Sequence, residues 1–198
     1  ITDAYEPGST FKVIAAAAVL EEGLARLEDR VFCEQGELKL ANGEIIRDTE
    51  SYGDLLFAQV IENSSNIGLI KFARRLERPQ FYQYIRRFGF ATRTGIDLPA
   101  ENSGLLQSAD QWSERSLETI AIGQEIGVTA LQLALALADK ALRECFRPDG
   151  AFANDLFGTH AHSTTCVMAS LAQLADLLQD TPLMARVKSF YDNGLWAL

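Results

Sequence analysis

Glu6-Pro7-Gly8-Ser9-Thr10-Phe11-Lys12 runs directly into Val13-Ile14-Ala15-Ala16-Ala17-Ala18-Val19-Leu20, and the reading of this stretch decides the fold. A hydroxyl and an amine at Ser-x-x-Lys spacing share one face of a helix, and Pro7 and Gly8 just upstream mark the first turn. The apolar run from Phe11 to Leu20 predicts an element buried within a domain. A lysine desolvated there has a lowered pKa and can accept a proton from serine, so Ser9 is the candidate nucleophile and Lys12 the candidate base. Ser9 is placed at the positive end of the helix, where anionic intermediates are stabilised. Ser-x-x-Lys arises by chance about once in a chain of this length, so the pair needs companions elsewhere.

The 198 residues suit one domain, or one domain plus a piece of another, and 47% hydrophobic content is enough for a core. Net charge is -9, and no Lys/Arg-rich block could track a phosphate backbone, so nucleic acid is excluded as a partner. No stretch reaches the ~18 uninterrupted apolar residues of a membrane span, and Ile1-Thr2-Asp3 lacks the basic start of a signal peptide. Cys33, Cys145 and Cys166 are too widely spaced for a zinc pattern or a complete disulfide framework, and read as buried or incidental thiols. Neither a cofactor nor a metal is expected.

Gly23 caps the first helix. Asp29–Cys33, Glu37–Leu40 and Glu44–Ile46 are short runs of a small β-excursion, with Asn42-Gly43 as a hairpin signal. Asp54 is predicted to cap a helix through Ile61, which stops in Glu62-Asn63-Ser64-Ser65-Asn66 before a second helix from Ile67 to Leu76. Ser64, Ser65 and Asn66 thus fill a polar turn from which hydroxyls and an amide can project into a cleft, or which merely caps the helix. Pro79 opens a helix closed by Gly89, with Arg74, Arg75, Arg86 and Arg87 on solvated faces. Thr94–Pro99 reads as an extended connector, Ala100–Gln111 as loop, and Ile120–Gln124 as a short strand or turn. A long helix capped by Thr129 follows. After Ala138 the pattern becomes more charged, Pro148-Asp149-Gly150 breaks the helix, and Thr159–Thr165 forms a polar patch before helices at Val167–Leu178 and from Pro182.

The ordered series Tyr5–Lys12, Ser64-Ser65-Asn66, Phe88-Gly89-Phe90 with Thr94–Pro99, and Ile122-Gly123-Gln124 followed by Val128–Ala134 resembles the transpeptidase domain of class B penicillin-binding proteins. These enzymes cross-link bacterial peptidoglycan. The resemblance covers residues 1 to about 137 and implies an α+β fold, mostly α in this chain: the helical subdomain of the fold shared with serine β-lactamases, its sheet subdomain incomplete. It implies that Ser9 attacks the penultimate D-alanine carbonyl of a stem peptide ending in D-Ala-D-Ala, with Lys12 taking its proton. Ser64 and Asn66 match the family's Ser-x-Asn motif: the serine relays protons to the leaving amine, and the asparagine bonds Lys12 and the substrate amide. β-Lactams would acylate Ser9. The resemblance also implies a membrane-anchored parent with cell-wall synthesis partners at the outer face of the bacterial cytoplasmic membrane.

Two positions depart from the family. Ala130 stands where proline is usual at a helix start, a minor change. More seriously, no Lys-Thr-Gly lies downstream. In the family that motif binds the substrate carboxylate from a sheet-edge strand, and the strand supplies an oxyanion-hole amide. Lys140-Ala141-Leu142 has neither hydroxyl nor glycine and reads as helical, and in His162-Ser163-Thr164 a threonine would crowd the substrate. His160 and His162 share a face only on a strand and have no evident third metal ligand. The domain reading is therefore a partial transpeptidase domain over 1–138 and a divergent or chimeric helical tail over 139–198. Two other functions stay open: a non-catalytic module binding penicillin or cell-wall peptides, and a helical carbohydrate-processing protein if the tail defines the parent.

Overall fold

The computed structural model describes residues 2–40 and 42–145, together with 172, 175, 176, 179, 181–189 and 192. The expectations for His160, His162, Cys166 and the Pro148-Asp149-Gly150 break lie outside the described residues. Two compact units are present, Ile1–Thr94 with Ala100–Leu133, and Gly95–Pro99 with Ala134–Leu198.

The first unit is built on helix α1, Lys12–Glu21. It is reached through a tight 3-10 turn, Gly8–Phe11, so Ser9 sits in that turn rather than in the first turn of the α-helix. The helix ends as its sequence dictates: Gly23 takes φ +64, its N–H bonds Leu20, and Leu24 N–H reaches back to Val19. Ile14, Ala15, Ala18 and Val19 are buried, but Val13 and Leu20 are 41% and 38% exposed. The helix therefore has an apolar open side, and the expectation of burial all round is corrected.

Four short strands follow: β1 Arg30–Phe32, β2 Glu37–Lys39, β3 Ile45–Arg47 and β4 Asp54–Leu56. β2 and β3 form the hairpin signalled by Asn42-Gly43, with Leu38 opposite Ile46. Its turn is closed by Gly43 N–H on Leu40 and by Asn42 Oδ1 accepting from Glu44 N–H. β1 pairs antiparallel with β4, Arg30 opposite Leu56. This overturns the reading of Asp54 as a helix cap. Its backbone is committed to the ladder with Phe32, and the next helix starts at Phe57, where Gln59 Oε1 accepts from Leu56 N–H.

Helices α2 Phe57–Glu62, α3 Asn66–Ala73, α4 Arg78–Arg87 and α5 Ser116–Ala121 complete the core. α1 packs against α3 and α4, and α3 against α2 and α5. Phe11, Phe57, Phe72, Phe81 and Phe90 are wholly buried. Phe11 meets Phe90 edge-on, ring centroids 5.1 Å apart, which ties the entrance of α1 to the segment after α4. Ile120–Gln124 is the end of α5 and its turn rather than a strand: Ile122 N–H bonds Thr119, and Gly123 N–H bonds Ile120. Arg74, Arg75, Arg86 and Arg87 lie exposed, as expected, and two of them make contacts there: Arg74 pairs with Glu118 at 2.7 Å and Arg75 donates to the Leu24 carbonyl at 2.7 Å.

Helix α6, Ala130–Cys145, starts on the predicted Thr129 cap, which is reciprocal. Thr129 Oγ1 accepts from Gln132 N–H, and Gln132 Oε1 accepts from Thr129 N–H. Lys140-Ala141-Leu142 lies within this helix, as expected. In the second unit, α7 spans Thr181–Ser189, with Pro182 in its first turn and Leu183 and Val187 buried. Among the described residues no helix is long and apolar enough to cross a membrane.

Candidate active site

The geometry of the site follows from three backbone constraints. The first holds the loop that carries Ser9. Tyr5 and Val128 exchange backbone hydrogen bonds of 3.0 and 2.9 Å, Gly8 N–H donates to Gly123 at 3.0 Å, and Glu6 Oε1 accepts from Glu125 N–H at 2.9 Å. Gly123 makes this approach possible: at φ +79, a Cβ placed on it would lie 2.1 Å from the Gly8 carbonyl oxygen. Ser9 belongs to neither two-stranded sheet, and the backbone beside its loop is this 123–128 segment. Its side chain is exposed, and its carbonyl accepts from the Lys12 backbone N–H.

The second constraint buries the amine. Lys12 opens α1 with only 4% of its surface exposed. Burial lowers its pKa to about 8, a fall limited by the negative charge of Asp48. Its Nζ donates to Ser64 Oγ at 2.9 Å and to the Ser64 carbonyl oxygen.

The third shapes the turn between α2 and α3. Ser64 takes φ +54, a left-handed conformation unusual for serine, and this aims both of its oxygens at Lys12. Ser65 is buried and caps α3, accepting from Gly68 N–H at 2.9 Å. Thus Ser64 faces Lys12 while its neighbour Ser65 supplies the cap, so the capping reading of this turn holds at Ser65. Asn66 departs from expectation. Its Nδ2 donates to the Arg47 carbonyl at 2.7 Å, and Lys12 bonds Ser64 rather than Asn66. As the first residue of α3 beside β3, Asn66 has a strand carbonyl within closer reach.

Sequence reasoning missed Asp48, whose carboxylate accepts from Ser65 Oγ at 2.7 Å, Asn66 N–H at 2.5 Å and Ile67 N–H at 3.1 Å. No local pattern marks it, because its partners lie across the fold; only its place just after the hairpin could have drawn notice. Glu6 was quoted within the motif but given no role, and its carboxylate holds the Glu125 turn at φ +57.

Two other features stand apart from the Lys12–Ser64 pair. A cavity of about 640 Å³ is lined by Tyr5, Glu6, Trp112, Arg115, Glu125 and Gly127, and contains none of Ser9, Lys12, Ser64 and Asn66. In it Glu125 Oε1 lies 2.8 Å from Arg115 Nε at an angle too poor for a hydrogen bond, so the contact is Coulombic. Cys33 is buried, and burial pushes its thiol pKa up. Among the described residues no group of three or more His, Cys, Asp or Glu could hold a metal ion.

The stretch of chain that carries Ser9, Lys12, Ser64 and Asn66 matches known proteins. The family described as the penicillin binding protein transpeptidase domain matches residues 1–141. The chain belongs to this family. It is 38% identical over 136 residues to penicillin-binding protein PbpB of Mycolicibacterium smegmatis, covering 68% of this chain and 21% of that protein. It is 32% identical over 148 residues to the peptidoglycan D,D-transpeptidase FtsI of Escherichia coli K12, covering 75% of this chain and 25% of that protein. Among solved structures, penicillin-binding protein 3 of Mycobacterium tuberculosis complexed with ampicillin matches with a TM-score of 0.63 and 32% identity, covering 68% of this chain and 30% of the other. The chain thus spans only about a fifth to a quarter of the length of these curated relatives. It is a partial penicillin-binding protein transpeptidase fold, mostly helical with two small sheets among the described residues.

Proposed function

We propose that this chain carries the nucleophile half of a serine D,D-transpeptidase that cross-links peptidoglycan stem peptides ending in D-Ala-D-Ala. The observation that carries the reading is the Lys12 amine, buried, lowered in pKa to about 8 and bonded to Ser64. Ser9 Oγ bonds to the penultimate D-alanine carbonyl carbon while its proton passes to neutral Lys12. The tetrahedral intermediate expels the terminal D-alanine, whose nitrogen takes a proton through Ser64, and an acyl-enzyme remains on Ser9. An amine from a neighbouring stem peptide then attacks that ester, and the proton returns to Ser9. Asn66 holds the substrate amide with its oxygen, its Nδ2 being taken by Arg47. β-Lactams acylate Ser9 by the first of these steps. The relatives named as peptidoglycan transpeptidases support this reading, and with it a parent anchored at the outer face of the cytoplasmic membrane among cell-wall synthesis partners.

The missing Lys-Thr-Gly supports a second statement: the chain alone acylates poorly, lacking a carboxylate site and one oxyanion donor. Loss of one such donor slows acylation about 10²- to 10³-fold. The change of sequence character after Ala138, and the family match ending at residue 141, support taking 1–138 as the partial domain and 139–198 as a separate segment.

The test is labelling by a fluorescent penicillin of this chain, and of a chimera in which residues 1–138 replace the matching segment of the Mycolicibacterium smegmatis relative. The chimera should label at Ser9, Ser9→Ala should abolish the label, and the chain alone should label at least about 100-fold more slowly. Labelling that persists in Ser9→Ala overturns the nucleophile assignment, and equal rates for chain and chimera overturn the impairment.

A further inference from the structure

Asp48 lies outside every motif that assigns a role, yet it joins β3 to the turn that faces Lys12. Three donors converge on its carboxylate: the Ser65 hydroxyl at 2.7 Å and the Asn66 and Ile67 N–H groups at 2.5 and 3.1 Å. The two N–H groups belong to the first turn of α3 and have no partner within that helix, so an anion there meets both unpaired donors and the positive helix end. Ser65 accepts from Gly68 N–H, and its hydroxyl donates to Asp48 at 2.7 Å, with Cys33 Sγ a longer alternative acceptor at 3.6 Å. Ser64, directly before, donates its N–H to the Ile61 carbonyl and accepts from Lys12 on both oxygens. Its φ of +54 is a strained conformation for serine, and its C-terminal flank is held by Ser65 and Asn66 on Asp48.

We infer that Asp48 is a positioning residue for the Lys12–Ser64 pair: its carboxylate locks the left-handed turn that presents both Ser64 oxygens to Lys12, and its negative charge stabilises the Lys12 ammonium. The inference rests on the proposed acyl transfer for its catalytic meaning, but not for its structural test. The charged and titratable groups around the cluster are few. Lys12 comes from α1, Asp48 from the end of β3 and Cys33 from the end of β1, while Lys71 of α3 and Asp54 of β4 act on Cys33. Lys71 is itself paired with Glu34. Asp48 is the charge that opposes the effect of burial on Lys12, so a neutral residue there should move the lysine further from its ordinary value.

The experiment is NMR titration of the Lys12 ¹³Cε resonance in this chain, identified by its loss in Lys12→Met. It is run for wild type, Asp48→Asn, Asp48→Ser and Asp48→Glu. Asn and Ser can still accept hydrogen bonds at the α3 end and differ in size, so one neutral variant serves if the other does not fold. In either, the Lys12 midpoint should fall by about 0.5–1 pH unit, and the Ser64 and Ser65 amide signals should broaden or shift. In Asp48→Glu the midpoint should stay within about 0.3 unit of wild type, because the charge is kept. A folded neutral variant with an unchanged Lys12 midpoint and unchanged Ser64 amide overturns the inference. In the penicillin-labelled chimera, the acid limb of the acylation pH profile should shift down by the same amount in the neutral variants. Its plateau should drop about 10-fold, with Glu recovering most of it. No labelling of the wild-type chimera would defeat the acyl-transfer reading and leave the titration result standing, whereas a normal wild type with no change in the neutral variants defeats the role of Asp48 alone.

Discussion

Replacing Lys12 by methionine probes the free-energy cost of burying its amine. The lysine is 4% exposed and its pKa falls from 10.5 to about 8 on folding. Below pH 8 both folded and unfolded chains bind the proton, and the folded state bears the full penalty of a desolvated ammonium, about 3 kcal/mol. Between pH 8 and 10.5 only the unfolded chain still holds it, so wild-type stability rises with pH at up to about 1.4 kcal/mol per unit. Above 10.5 both are neutral and the penalty is gone. Methionine matches the apolar stem and never titrates, but forfeits the hydrogen bonds to Ser64, worth about 1 kcal/mol. Lys12→Met should therefore be more stable than wild type by about 2 kcal/mol at pH 7, lose that advantage near pH 10, and be the less stable protein by pH 10.5. Urea unfolding of both proteins at half-unit steps from pH 7 to 10.5 measures this, and other titrating groups cancel in the difference. Parallel stability curves across that range would refute the reasoning, because they would mean that Lys12 keeps an ordinary pKa in the folded chain.

Two further substitutions probe the frame around the site. Gly123→Ala puts a methyl group into the Gly8 backbone at a left-handed position and should destabilise the chain by at least about 2 kcal/mol, read by urea unfolding. In the chimera it should suppress penicillin labelling by displacing the loop that carries Ser9; unchanged unfolding and labelling would show that the Gly8–Gly123 contact is dispensable. Gln132→Leu removes the bonds from Nε2 to the Thr92 and Ser103 carbonyls and the bond accepted from Thr129 N–H. Because Gln132 is buried, this should cost about 2–4 kcal/mol in the same assay, against about 1 kcal/mol for Thr129→Ala, which removes one half of the cap.

Much of the fold was legible because its signals are local. Gly23, Asn42-Gly43, Pro79 and Thr129 each act on their own few residues through backbone conformation or a single side-chain bond, and each does in the structure what its neighbours predict. The misread elements are those where a distant partner prevailed. Asp54 is a good cap residue, but Phe32 and its neighbours on β1 offer a ladder. Of the strand or turn that Ile120–Gln124 suggests, the turn is realised at Ile122-Gly123, after α5 has taken Ile120 and Ala121. Asn66 has the right side chain to reach a lysine, but β3 places the Arg47 carbonyl nearer.

By itself the sequence determined the chemistry available here: a serine and a lysine one helical turn apart, a second serine and an asparagine in an interhelical turn, and no Lys-Thr-Gly. Those are facts of residue type and spacing, and they carry the family. Only the tertiary structure decided how the parts engage. It put the Lys12 amine on Ser64, buried it far enough to bring its pKa to about 8, and set Asp48 against the turn that holds both. Burial and long-range hydrogen bonds depend on which distant segments meet, and spacing along a chain does not encode that. Ser64 and Lys12 are 52 positions apart, and Asp48 and Asn66 are 18, so the arrangement exists only once β3, α1 and α3 have packed together.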